Sequence, residues 1–267
     1  MKFTGRNAAW AAMLVSLTAV SAFAQDKPVW VRAVYVKTKP GQAAAYDAFR
    51  DSTIRKGSEG VVKSGAVSAS ISLRLVYPIA AQVGHDRVAI SVYPGAPPEP
   101  QSILDTFHKN SGMSREEYLA KRSALDNVVA VHLIREDIVL GGTTKAGDYI
   151  RVSYLKIKPG SQAEYSDLGK MNKASLEKAM HGGQLPFGGY RRGTIFGAGT
   201  VSEFQALQAF VYSSWDDVFK SGGPSPRDAF LAAFPGQNYE SSYLDRLRAI
   251  SETKHQAIYR VDNVITK

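Results

Sequence analysis

Tyr35-Val36-Lys37-Thr38-Lys39-Pro40-Gly41 is answered further along the chain by Tyr154-Leu155-Lys156-Ile157-Lys158-Pro159-Gly160. The two stretches lie 119 residues apart, and Ala44 over Ala163, Tyr46 over Tyr165 and Val92-Tyr93 over Val211-Tyr212 keep that offset. Tyr118-Leu119 over Tyr243-Leu244, and Arg135-x-Asp137-x-Val139 over Arg260-x-Asp262-x-Val264, follow at an offset of 125. Matches in chain order with one change of offset read as an internal repeat. The change places six extra residues in the second copy, between Tyr212 and Tyr243.

Both copies read alike locally. Residues 29–38 alternate Val31, Ala33 and Tyr35 with Arg32, Val34 and Val36, a strand pattern. Lys39-Pro40-Gly41 ends it, since proline has no ladder N–H and glycine opens a turn. A helix over 42–57, strands over 66–77 and 86–93 and a helix over 101–109 follow. Ser114 and Glu117 form a capping-box pattern for a helix over 115–125, before a strand over 128–140. The second copy repeats this with a strand over 148–158, a helix over 161–180 and strands over 187–197 and 203–212. Ser214 caps a short helix carrying Trp215 and Phe219, then helices over 226–234 and 239–251 lead to a strand over 255–265. Each copy is β-α-β-β-α-β, the split βαβ arrangement, with helices on one face of an antiparallel sheet. The other face is apolar and needs a cover, and the second sheet supplies it. The expected fold is therefore α+β: two tandem ferredoxin-like units whose sheets pack face to face as an intrachain pseudo-dimer. Residues 25–140 and 148–267 are the two repeats, with the glycine-containing 141–147 as linker.

Lys2 and Arg6, the apolar run from Ala8 to Val20 and the small residues Ala22 and Ala24 form a signal-peptide pattern over 1–24. The run is too short for a span of about 20 residues, so the expectation is an exported protein, periplasmic or secreted, with no membrane span after cleavage. The chain has no cysteine, which excludes disulfides, thiolate metal sites and a thiol nucleophile. Its net charge of +9 is scattered, so no nucleic-acid partner is expected. No metal-ligand spacing, phosphate loop or nucleophile elbow occurs, and the glycines from Gly182 to Gly199 precede a strand where a phosphate loop would need a helix.

The Lys-x-Lys-Pro-Gly strand ends, the Ala-x-Tyr helices and the closing Arg-x-Asp strands resemble the dimeric α/β-barrel superfamily of antibiotic-monooxygenase-like and NIPSNAP-like domains. So do the strands ending at Tyr93 and Tyr212 and the Ser-Trp-Asp-Asp helix start at 214–217. The resemblance covers nearly all of residues 29–266. It implies a pocket between each sheet and its own helices. It also implies a range of activities, from cofactor-independent oxygenases to haem enzymes and proteins without known activity. The first copy departs from it, with Gly95-Ala96-Pro97 where Trp215-Asp216-Asp217 stands in the second.

Candidate ligand-binding residues are His132, Arg192, Tyr212, Trp215 and Tyr154. His132 suits a haem ligand or general base, and a partly exposed strand position explains it equally. Arg192, aligned with Leu73, suits a carboxylate clamp if unpaired and facing a pocket; a solvent-facing role is the alternative. Tyr35 and Tyr154, like Tyr93 and Tyr212, either line a pocket with hydroxyls or fill the inter-sheet core. Arg135 and Arg260 are expected to pair with the aspartates two residues on. His85 is read as a hairpin-loop residue and His181 as a helix-end residue. No motif demands a cofactor, and haem is compatible. Three functional readings stand: binding of a small hydrophobic or acidic organic molecule between sheet and helices, an oxygenase-like or lyase-like enzyme, and a structural module without ligand.

Overall fold

A computed structural model describes residues 29–78, 83–182, 185–197, 203–220 and 226–267. The signal-peptide reading, and Gly183 and Gly199 of the glycine-containing stretch, lie outside the described residues.

Strands β1 (Val29–Thr38), β2 (Ala69–Tyr77), β3 (Arg87–Tyr93) and β4 (Asp126–Gly141) belong to the first half. Strands β5 (Tyr149–Ile157), β6 (Gly189–Ile195), β7 (Ala206–Tyr212) and β8 (Ser251–Thr266) belong to the second. The sheet is a closed barrel in the order β1-β3-β2-β8-β5-β7-β6-β4, so each half has the same internal order. The two sheets face each other across one interior and also join edge to edge, through β2–β8 and β4–β6. Closure removes both sheet edges, which would otherwise present unpaired backbone groups.

The first half carries α1 (Ala43–Phe49), a π-helical turn (Arg50–Ile54), α2 (Arg55–Ser64), α3 (Pro100–Ser111) and α4 (Arg115–Leu125). The second carries α5 (Gln162–His181), α6 (Trp215–Phe219), α7 (Pro226–Ala233), a π-helical turn (Glu240–Leu244) and α8 (Asp245–Ile250). Helix α6 lies between Tyr212 and Tyr243, the interval over which the second half is longer by six residues. Ser114 and Glu117 complete their capping box, and Ser214 accepts from the Asp217 N–H. Gly41, at φ +74, makes the turn after β1 that a side chain would strain. The His181 imidazole sits 2.7 Å from the Glu177 carbonyl in the last turn of α5, as a helix-end histidine does.

Alternation sorts each strand into two faces. Val31, Ala33, Tyr35, Leu73, Val88, Val152, Tyr154, Ala209, Ala257 and Tyr259 point into the barrel and form its core. The outer faces carry the helices, packed on separate apolar clusters around Val36–Tyr46–Phe49 in the first half and Tyr165–Leu168–Phe230 in the second. Tyr93 and Tyr212 lie on these outer faces with Val61 and Val218, so unlike Tyr35 and Tyr154 they do not fill the space between the sheets.

Candidate functional site

The outer faces of the two half-sheets have different floors. In the first half, pairing sets Arg32, Ser91 and Ser70 in one row and Val34, Ala89 and Ser72 in the next. In the second, the matching rows are Arg151, Phe210 and Tyr190, then Ser153, Gln208 and Arg192. Small side chains leave a cleft of about 260 Å³ under α2, α3 and α4 of the first half, lined by Ser70, Ser72, Ile103, Phe107 and Tyr118 among others. Large ones occupy the corresponding space in the second half.

Arg192 does most of that filling. It is 2% exposed, places its guanidinium 4.0 Å from the Tyr165 ring centroid, and donates to Asp137 (3.0 Å) and to the Tyr165 carbonyl (2.5 Å). It is therefore neither unpaired nor solvent-facing. Its counterpart by strand pairing is Ser72, since Ser72 faces Ala89 as Arg192 faces Gln208. Leu73, one residue on, points into the barrel. A one-residue shift of β6 relative to β2 exchanges the faces of every side chain on the strand.

The expected Arg-x-Asp pairs are replaced by cross-half ones. Asp137, on β4 of the first half, takes Arg192 of the second; Asp262, on β8 of the second, takes Arg50 (2.6 Å) and Arg74 (3.2 Å) of the first. Residues two apart on a strand share a face but their side chains run parallel, and arginines from packed neighbours reach the carboxylates better. Gly169 stands 119 residues after Arg50. A Cβ at Gly169 would overlap the Arg192 guanidinium, so the glycine makes room for it. Asp262 is thus met by arginines from a π-helical turn and from β2 of the first half, and Asp137 by one from β6 of the second.

The open cleft has two unmet polar groups. Arg32 is exposed at its floor and makes no ion pair or hydrogen bond among the described residues. Arg87 spends Nη1 and Nη2 on Asp86 and Asp47, but its Nε is buried without a partner. The remaining titratable lining is Arg50, Arg122, Tyr46 and Tyr118. Arg122 is held by Asp126 at 2.5 Å and 2.8 Å and donates to the Tyr118 hydroxyl. Burial pushes the Tyr46 hydroxyl up to about 12.

Tyr212 and Trp215 stay outside both sites. Tyr212 is buried beside Val218 and Ile258, while Trp215 lies on the surface against Tyr149 and Phe219.

His132 and Tyr154 meet elsewhere, in a cavity of about 570 Å³ at one end of the barrel. Tyr35, His85, Phe204 and His255 line it with them. Tyr259, on the same inner face, joins through its hydroxyl: 2.8 Å from His85 Nε2 and 3.0 Å from the Tyr154 hydroxyl, which lies 3.3 Å from that of Tyr35. Burial lowers the pKa of His85, His132 and His255 and raises those of the three tyrosines. His85 lies in the β2–β3 connection, as its reading as a hairpin-loop residue has it, and is buried there as part of the cavity wall. His255 was legible, because it shares the inward alternation of Ala257 and Tyr259; His85 was not, because it precedes β3 in a turn.

Haem does not fit the open cleft. Among the described residues its lining has no histidine or methionine, and burial raises the Tyr46 pKa, which disfavours the phenolate that tyrosine ligation needs. Among the described residues no group of three histidines or carboxylates is arranged to hold a metal. None of their helices is long and apolar enough to cross a membrane.

No family model and no curated protein matches the chain. Solved structures do. A candidate monooxygenase from Lactobacillus acidophilus matches with a TM-score of 0.56 at 10% identity, over 90% of this chain and 97% of that one. A candidate monooxygenase from Fusobacterium nucleatum gives 0.54 at 11%, over 90% and 95%. An anthrone oxidase-like protein gives 0.52 at 13%, over 91% and 94%. These are dimeric α/β-barrel structures, and this chain has that fold, with both halves in one polypeptide. At such identities the likeness is one of fold.

Proposed function

We propose that the protein, exported by its leader, binds a small organic molecule with an apolar body and one anionic group in the sheet–helix cleft of the first half. The observation that carries this is the cleft floor: four small side chains under an apolar roof, with the unpaired Arg32 and the Arg87 side chain in its lining. A guanidinium fork suits a carboxylate. The volume, about 260 Å³, lies just under the usual range of about 300–1,000 Å³ for ligand pockets, which calls for a small ligand. The titratable lining consists of arginines and tyrosines, with no carboxylate or histidine among the described residues. That set retains an anion and lacks a base to abstract a proton, which favours binding over the oxygenase-like or lyase-like reading that the fold neighbours bring to mind.

Isothermal titration with benzoate and hexanoate, against benzamide and hexanamide, tests this. The acids should bind and the amides should bind at least tenfold more weakly. Arg32→Gln should weaken the acids, and Ser91→Phe, which installs the second half's residue, should abolish binding. Equal affinity for acid and amide, or full binding by the Ser91→Phe variant, would sink the proposal.

A further inference from the structure

The barrel-end cavity is a second site, on the opposite face of the sheet from the cleft and independent of it. Its walls are aromatic. Tyr154 stacks on His255 at 4.2 Å, and Phe204 meets His132, Tyr154 and His255 edge-on at 5.3, 4.8 and 5.4 Å. Such a wall favours an aromatic guest through offset and edge contacts.

The polar groups define the guest further. Among the described residues no lysine or arginine lines the cavity, and the one carboxylate that does, Glu203, is exposed. Neutral imidazoles and protonated tyrosines carry no charge to balance an ion, and bringing an unpaired ion into such a place is costly. The guest is therefore neutral. His85 is fully engaged: Nδ1 faces the Val83 carbonyl at 2.9 Å and must donate there, so Nε2 accepts from Tyr259. Tyr154 has one proton, given to Tyr35 or to Tyr259. When it goes to Tyr35, the Tyr35 proton is left to point into the cavity. His132 adds the other half. Its Nδ1 is shut away without a partner, so Nε2 is the nitrogen it can offer to a guest. The Tyr35 and His132 rings are neighbours in the wall, with centroids 5.1 Å apart.

We propose that this cavity binds a neutral, planar aromatic molecule carrying a free hydroxyl. Its ring is held by Tyr154, Phe204 and His255, and its hydroxyl sits between the Tyr35 hydroxyl and the His132 imidazole. The hydroxyl accepts from Tyr35 and donates to His132, an arrangement that an ether or an anion cannot reproduce.

The test uses the mature protein and 4-nitrophenol, whose anion absorbs visibly and whose neutral form does not. At a pH where both forms are present, titrating in protein should bleach the anion band saturably as the neutral form is captured. 4-Nitroanisole should compete at least tenfold more weakly. Tyr35→Phe and His132→Phe should each weaken binding about fivefold to tenfold, roughly the value of one hydrogen bond, with unchanged thermal midpoints. Ser91→Phe, which fills the separate cleft, should leave the signal intact. If His132→Phe does not fold, Tyr35→Phe decides, because it removes one oxygen and no volume. Growth of the anion band, equal binding of the anisole, unaltered affinity in Tyr35→Phe, or loss of signal in Ser91→Phe would each overturn the proposal.

Discussion

Replacing Gly169 with alanine should destabilise the protein, against the normal preference of helices. In an ordinary helix interior the exchange gains about 1 kcal/mol, because glycine loses more backbone freedom on folding. Here the added Cβ would occupy the place of the Arg192 guanidinium. Displacing that group breaks its bonds to Asp137 and the Tyr165 carbonyl. Breaking a buried pair costs about 3–5 kcal/mol; the Asp137 side chain is 32% exposed, which lowers the figure to about 2–4 kcal/mol. The net expectation is a loss of about 1–3 kcal/mol, or a fall in Tm of roughly 3–10 °C for a chain of this size. Urea unfolding and calorimetry measure it. A double-mutant cycle isolates the cause. In an Arg192→Leu background the guanidinium is gone, and Gly169→Ala should become neutral or stabilising. Gly169→Arg combined with Arg192→Ser copies the first half's arrangement and should recover part of the loss of either change alone. If Gly169→Ala stabilises the unaltered protein, or acts equally in both backgrounds, the account of Gly169 as space for Arg192 is wrong.

Glu136 faces into the barrel two residues after the buried Ile134, and burial pushes its carboxyl up to about 7. The native state therefore binds its proton more tightly than the unfolded chain, and stability falls as pH rises from about 4.5 to about 7. Glu136→Gln should be neutral at pH 4 and stabilising by about 2 kcal/mol at pH 8 by urea unfolding; a constant difference across that window refutes the assignment. Ser114→Ala removes the Glu117 cap and should cost about 1 kcal/mol in the same assay. Asp126→Asn strips the charge from the bidentate partner of Arg122 and should cost about 1–3 kcal/mol, with the larger loss at low salt.

The repeat and its alternation made the barrel legible. Strand boundaries, the β-α-β-β-α-β order and both serine caps follow from local rules, and the cover for each sheet follows from its apolar face. The open cleft was not legible, because it depends on cross-strand rows. Ser70, Ser72 and Ser91 are unremarkable one by one; only pairing brings them together, in the places that Tyr190, Arg192 and Phe210 hold in the second half. Aligning Arg192 with Leu73 by chain offset missed the one-residue shift, and with it the face on which the arginine lies. His132 and Tyr154 were singled out separately. Their meeting with His85 needed the turn before β3 to fold inward, which no periodic pattern records.

The closing strand β8 follows every other strand of the barrel in the chain, so it is made after them. It pairs with β2, made nearly two hundred residues earlier, as well as with β5. Until Ser251–Thr266 is available, β2 has a bare edge and the barrel interior is open along one seam. The first half cannot finish alone, and a chain truncated before residue 251 should expose an adhesive strand and aggregate. Closure of the barrel is thus timed by the arrival of β8.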